Sequence, residues 1–382
     1  MGQSSKVRPR FGFARTRLRY NSDVTTQAPS LVGLTEAEIS ALLGERPDAK
    51  WRAKQISRWI YQKATGDYAQ MNDLPKDLRA TLEADYTLNP LAVAKHVRST
   101  DDVDKLLVHS GDNQVFECVL LPYEDRVSCC ISSQVGCPMA CSFCATGLGG
   151  FDRNLTATEI VGQYLVLQRL SERRISHVVF MGMGEPLLNY DNVLKSLRVL
   201  HDEVGLSYRH LTVSTVGIVP QIRALAKEKL PIHLALSLHS PFDKIREQLM
   251  PVNKKWSVKE TVEAMRYYQR MTGRKITIEY LLIDGLTDSH DQAEELARLI
   301  KGVPSVVNLI PFNYVQTEQG FGRPSADRVR GFRRALEARR VNVTQRVERG
   351  HDIAAACGQL AGQHEGKFAR RVTSSALPVL SS

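Results

Sequence analysis

From about residue 126 to residue 339 the chain alternates continuous apolar runs with amphipathic ones, and this alternation restricts the possible folds more than any other feature. The apolar runs recur near 126–132, 177–182, 211–216, 232–238, 276–283 and 306–311. Segments of helical periodicity fall between them near 156–170, 190–203, 219–228, 256–271 and 289–301, with another near 325–339. A strand that is apolar throughout is buried on both faces, and strands joined through helices run parallel. The expected fold is α/β: a partial (βα)6 barrel of the TIM type, with its helices outside the sheet.

Upstream the pattern changes. Residues 1–30 read as a basic tail, in which Lys6, Arg8, Arg10, Arg15, Arg17 and Arg19 all precede the first acid, Asp23. Such a tail is a solvated segment or a phosphate-binding arm. Residues 31–88 read as a small helical accessory domain. Thr35 and Glu38 form a capping-box pattern before Ile39, a second helix runs from about Trp51 to Lys63, and a third begins near Pro75 with Leu78 and Leu82 inward. The second helix carries Arg52, Lys54, Arg58 and Lys63 against apolar Ile56, Trp59 and Ile60, which is an RNA-facing surface or simply a solvated one. Residues 89–122 contain a β-hairpin extension, Lys105–His109 and Val115–Leu121, around the turn Ser110-Gly111-Asp112-Asn113. The barrel is expected over 123–355 and a C-terminal segment over 356–382.

Lys and Arg exceed Asp and Glu by ten (51 against 41), which makes a polyanion a plausible partner. No apolar run approaches the ~18 residues that span a bilayer, and the N-terminus lacks a secretory apolar stretch. A cytoplasmic protein that contacts no membrane is expected.

Polar residues gather where the apolar runs end: Gly182-Met183-Gly184-Glu185-Pro186, Ser214-Thr215-Val216-Gly217, Ser237-Leu238-His239 and Pro311-Phe312-Asn313. Each alone is ordinary turn chemistry. In an α/β barrel, however, that end of the strands is where active sites lie.

Ahead of these turns stand Cys137, Cys141 and Cys144, spaced C-x3-C-x2-C. A closed zinc site draws four Cys or His ligands in spaced pairs, and no histidine lies between His109 and His177. Three thiolates instead leave one iron of a [4Fe-4S] cluster without a protein ligand. The spacing, with Phe143 just before the last cysteine, resembles the signature of the radical S-adenosylmethionine (radical SAM) enzymes. The resemblance implies that the open iron chelates the amino and carboxylate groups of SAM. It also implies that Gly184 and Glu185 hold the SAM ammonium, and that Ser214, Ser237, Leu238, His239 and Asn313 bind its ribose, carboxylate and adenine.

Further residues narrow the resemblance. Cys130 in Cys130-Ile131-Ser132-Ser133-Gln134-Val135-Gly136-Cys137, Cys357 in Ala355-Ala356-Cys357-Gly358-Gln359-Leu360, Arg153-Asn154-Leu155 and the basic helix together resemble the RlmN-type RNA adenine methyltransferases of the RlmN/Cfr family. Carbon 2 of adenine is electron-poor and cannot displace the methyl of SAM directly, so the family route is radical. It implies two SAM molecules per turnover. The first methylates Cys357, and the second is cleaved to a 5'-deoxyadenosyl radical that takes hydrogen from that methyl, whereupon the thiomethylene radical adds to the base. Cys130 would then resolve the covalent adduct through a transient disulfide with Cys357. Adjacent side chains on a strand point oppositely, so only one of Cys129 and Cys130 faces Cys357. Cys118 defaults to a core position.

The same resemblance makes Glu117 the proton acceptor. Period two places it on the face of Val115, Val119 and Leu121, where it would be dehydrated and its proton affinity raised; an edge-strand glutamate facing water is the alternative. Implied partners are 23S rRNA at the peptidyl-transferase centre, tRNA at the adenine 3' of the anticodon, and a flavodoxin-like or ferredoxin-like electron donor. A monomer is expected. Lys367, Arg370 and Arg371 would add phosphate contacts. The rivals are a Cfr-type enzyme acting at carbon 8 and a non-catalytic iron-sulfur protein that binds RNA.

Overall fold

Thr35 opens the first helix as its capping box requires. In the computed structural model, which describes residues 28–315, 319–346 and 349–360, the Glu38 amide donates to the Thr35 hydroxyl at 3.2 Å and the Thr35 amide to the Glu38 carboxylate at 2.8 Å. Helix α1 (Glu36–Leu42) is followed by α2 (Ala49–Ser57), which widens into a π turn at Arg58–Gln62, and by α3 (Lys76–Asp85). At the π turn Trp59, Ile60 and Tyr61 are all buried, more consecutive positions than one face of a regular helix presents. The tail residues 1–27 and Lys367, Arg370 and Arg371 lie outside the described residues.

The expected hairpin is present as β2 (Asp104–His109) and β3 (Val115–Pro122), preceded by a third antiparallel strand, β1 (Ala92–Arg98). Sequence periodicity missed β1 because Lys95, His96 and Arg98 interrupt it on an exposed edge. Strand β3 pairs antiparallel with β4 (Val127–Cys130), so the sheet continues without a break from the extension into the barrel.

After β4 come a short hairpin, β5 (Gln134–Gly136) and β6 (Phe151–Asn154), with α4 (Ala145–Leu148) between its strands. The alternating core follows: α5 (Ala157–Leu170), β7 (His177–Phe180), α6 (Tyr190–Asp202), β8 (Leu211–Thr215), α7 (Val219–Lys227) and β9 (His233–Ser237). It continues with α8 (Asp243–Leu249), α9 (Val258–Thr272), β10 (Ile276–Leu282), α10 (His290–Leu299), β11 (Ser305–Pro311), α11 (Ala326–Ala338) and β12 (Val343–Gln345). The sheet order is β1-β2-β3-β4-β7-β8-β9-β10-β11-β12, with every pair from β4 to β12 parallel. Among the described residues β1 and β12 are its two outer strands and do not pair with each other, so the barrel is partial. The six expected βα units are all present, joined by the three-residue β12.

Arg169, near the end of α5, clamps the helical region onto the barrel. Its guanidinium donates to the carbonyls of Ala64 (2.7 Å), Thr65 (3.0 Å) and Leu88 (3.2 Å) and to Asn89 Oδ1 (2.6 Å). Burial pulls its pKa down to about 10. On the neighbouring helix pair, Glu203 accepts from the Ser57 hydroxyl and from the Glu36 amide. Among the described residues no helix is long and apolar enough to cross a membrane.

Candidate functional site

The cysteine loop begins where β5 turns into it. Gly136 has φ +75°, and a Cβ there would stand 2.1 Å from the Gly150 carbonyl oxygen, so only glycine allows the close β5–β6 approach. The Cys137 amide donates to that carbonyl at 2.7 Å, and the Cys144 amide to Cys141 O at 3.1 Å. Cys141 is buried, while Cys137 and Cys144 are half-buried. Burial pushes the Cys137 and Cys141 thiols up, and the neighbouring cysteines of the loop push them further. Among the described residues no three His, Cys, Asp or Glu side chains converge as ligands of a single metal ion. The three cysteines are near enough to influence one another's protonation, Cys144 lines the adjoining cavity, and three soft sulfur donors suit an iron-sulfur cluster with one iron open.

That cavity lies at the carboxyl ends of β7 to β11. Of the residues expected to hold SAM, Gly184, Glu185, Ser214, Ser237, His239 and Asn313 line it together with Cys144 and Phe143. Leu238 does not: its side chain is fully buried in the core, and its carbonyl accepts from Arg246 Nε at 3.1 Å. Gly184 takes φ +102°, and a Cβ would lie 2.6 Å from Gln134 Cβ. The Glu185 amide donates to Gln134 Oε1 at 2.8 Å, which fixes the turn to β5. The Glu185 carboxylate accepts from the amides of Val216 (2.8 Å) and Leu187 (3.1 Å), yet burial outweighs these bonds and raises its pKa to about 7. A ligand ammonium would supply the missing countercharge.

His239 has φ +61°, and its Nδ1 accepts from the Leu281 amide at 3.0 Å. The neutral ring therefore carries its proton on Nε2, and burial, with Arg246 nearby, lowers its pKa to about 3. Asn313 Nδ2 donates to the Cys357 carbonyl at 3.2 Å, while its buried Oδ1 has no hydrogen-bond partner, an acceptor left for a ligand. Arg246, fully buried, ties the ends of β8 and β9 together by donating to Val216 O, Ser237 O and Leu238 O.

The cavity continues into a second lobe lined by Cys130, Cys357 and Arg346. Strand register explains which cysteine of the adjacent pair enters. Val119 is paired with Cys130 and Leu120 with Cys129, so Cys130 shares a face with Glu117, Val119 and Leu121, and Leu121 lines the lobe. Cys129 faces the other way, toward Tyr164 of α5, and is fully buried. Burial, then nearby Cys357, pushes Cys130 up to about 12. Burial also raises Cys357, but the Arg346 guanidinium hydrogen-bonds its sulfur and acts in the opposite direction. Arg346 follows β12, anchored by its amide to Leu309 O at 3.0 Å. Sequence reasoning missed it, since a half-buried arginine after so short a strand leaves no periodic signal.

Glu117 is 5% exposed on β3, which lies between β2 and β4, so the water-facing edge alternative is excluded. It does not line the cavity. Its carboxylate meets Lys105 Nζ at 3.0 Å, a cation absent from the purely apolar surroundings expected for it. Arg153, singled out in the sequence, bridges Asp112 (2.6 Å) and Glu159 (2.7 Å) and pins the β2–β3 turn to α5.

Residues 131–300 match the family model of the radical SAM superfamily, and residues 30–88 that of the ribosomal RNA large subunit methyltransferase N-terminal domain. A probable dual-specificity RNA methyltransferase RlmN of Symbiobacterium thermophilum is 45% identical over 347 residues, covering 89% of this chain and 93% of that protein. The counterpart of Bacillus thuringiensis is 42% identical over 357 residues, covering 92% and 98%. The crystal structure of a radical SAM methyltransferase from Sphaerobacter thermophilus superposes with a TM-score of 0.84 at 44% identity, over 88% of this chain and 100% of that one.

Proposed function

The chain belongs to the RlmN family of radical SAM methyltransferases, and from that premise we propose that it methylates carbon 2 of adenine in RNA through a methyl group carried on Cys357. Its substrates on this reading are one adenine of 23S rRNA and the adenine 3' of the tRNA anticodon. The electron donor is a flavodoxin-like or ferredoxin-like protein, and the reaction takes place in the cytoplasm.

When bound, a [4Fe-4S] cluster on Cys137, Cys141 and Cys144 together with SAM supplies a radical able to abstract hydrogen. The other tasks fall to the chain. Glu185 takes the SAM ammonium, its buried carboxylate regaining an opposite charge. Asn313 Oδ1 accepts from, and His239 Nε2–H donates to, the bound ligand. Cys357 carries the one-carbon unit, Arg346 holds its sulfur, and Cys130 attacks that sulfur, so that a Cys130–Cys357 disulfide forms as the sulfur–carbon bond breaks and its electron pair, taking up a proton, leaves as the methyl group of the released RNA. Glu117 accepts the proton lost from carbon 2. Residues 31–88 offer the basic face of α2 to RNA phosphates.

The observation that carries the proposal is the convergence of Cys130 and Cys357 on a cavity whose wall also bears Cys144. A non-catalytic binding protein has no use for two further thiols there. Digestion of modified RNA to nucleosides, chromatographed against 2-methyladenosine and 8-methyladenosine, tests it. A carbon-8 product assigns the chain to the Cfr-type activity, and an absence of 5'-deoxyadenosine from reconstituted protein rejects catalysis altogether.

A further inference from the structure

Lys105 links two parts of the molecule that the chemistry must keep in register. It lies on β2 opposite Val119, on the face that carries Glu117 and Cys130. Its ammonium is 3.0 Å from Glu117 Oε1 and donates at 3.1 Å to the carbonyl of Ala354, three residues before Cys357. The two side chains are 14% and 6% exposed. An exposed pair would contribute little, whereas a pair this buried holds its two side chains in a fixed geometry.

The surrounding contacts give the link a direction. The loop bearing Cys357 docks on the same extension: the Gly350 amide donates to Asp101 Oδ1 at 3.1 Å, the Thr100 amide to Asp352 Oδ2 at 3.0 Å, and Arg349 pairs with Asp101 at 3.2 Å. All of these fasten the loop to the β1–β2 turn. Arg349 also donates to the Pro122 carbonyl at the end of β3, and Lys105 ties the loop to the Glu117 carboxylate itself.

We propose that Lys105 is a positioning residue for methyl transfer, setting the Glu117 carboxylate against the Cys357 loop and serving as its buried countercharge until carbon 2 is deprotonated. The inference rests on the reading of Glu117 as proton acceptor. In the step concerned the C2–H bond of the radical adduct breaks, the proton passes to a Glu117 oxygen and the bonding pair stays with the adenine ring, whose surplus electron would return to the iron-sulfur cluster held by Cys137, Cys141 and Cys144. The ammonium then keeps the Ala354 carbonyl as its partner, so the loop stays docked.

The test uses the full-length, cluster-reconstituted protein and the variants Lys105→Met, Lys105→Arg and Glu117→Gln. Four readouts are followed: methylation of the Cys357 peptide, 5'-deoxyadenosine formed, methyladenosine released, and RNA–protein adduct on a denaturing gel. Lys105→Met should keep the first two while releasing product about ten- to a hundredfold more slowly and accumulating adduct, as misplacement of a catalytic group does. Lys105→Arg, which retains the charge, should restore release. Equal behaviour of the two Lys105 variants, whether both release product normally or both fail, overturns the proposal, as does loss of Cys357 methylation in Lys105→Met. Glu117→Gln separates the premises. If it releases product normally, the reading of Glu117 fails whatever Lys105 does; if it stalls while Lys105→Met does not, only the role of Lys105 fails.

Discussion

The guanidinium of Arg346 hydrogen-bonds the sulfur of Cys357, and the same cation faces Cys130 and Glu279. Burial alone would hold both cysteines as thiols, which are poor nucleophiles. A fixed positive charge between them favours the thiolate of whichever is to react. Arg346→Met should therefore slow methylation of Cys357, followed by mass spectrometry of its peptide, by about 10- to 100-fold, from the ~1.5–3 kcal/mol typical of a hydrogen bond to a charged group. Arg346→Lys should recover part of this.

Glu185 makes the unliganded protein pH-sensitive. Its folded-state pKa is raised from 4.5 to about 7, so the folded state binds its proton more tightly than the unfolded chain. The associated stability is present below the unfolded value and lost as pH rises through 7. Glu185→Gln should then stabilise SAM-free protein at pH 8 by roughly 3 kcal/mol, from ~1.4 kcal/mol per pKa unit, with little effect at pH 4. Thermal unfolding at the two pH values measures this. The same variant should weaken SAM binding, because a neutral amide gives the ammonium no countercharge.

The two adjacent cysteines should separate cleanly on mutation. Cys129→Ala removes a buried sulfur on the helix side of the sheet and should cost about 1 kcal/mol of stability, with catalysis retained. Cys130→Ala should leave the fold intact and stop product release. Denaturant unfolding and single-turnover assays of both variants distinguish stability from chemistry.

Gly136→Ala should disrupt the cluster loop. The added Cβ meets the Gly150 carbonyl, and φ +75° is itself unfavourable for alanine by ~1 kcal/mol or more. Iron and sulfide content after reconstitution should fall, whereas Gly150→Ala, at φ +87° but with open space around its Cβ, should lose less.

Much of this architecture was legible in the sequence because its signals are local. Continuous apolar strands announced β4 and β7 to β11, and the capping box at Thr35 marks a helix start that the structure reproduces. What escaped was short or long-range. Three-residue β12 and seven-residue α8 are too brief for periodicity to register. Arg346, Arg246 and Lys105 are cations whose partners come from distant strands and loops, so nothing beside them in the chain marks them as buried. Leu238, one residue past the end of β9, buries its side chain in the core while its neighbours Ser237 and His239 line the cavity. Nothing beside Glu117 in the chain marks Lys105 as its partner, because the pair crosses diagonally from β2 to β3.

The most direct measurement of the account is the reaction of Cys130→Ala protein with its RNA, followed by nuclease and protease digestion and mass spectrometry of the crosslinked fragment. If Cys357 carries the carbon and Cys130 releases it, the fragment contains the Cys357 peptide joined through one carbon to carbon 2 of adenine. Normal release of methyladenosine by this variant, or a crosslink at any other residue, contradicts that claim.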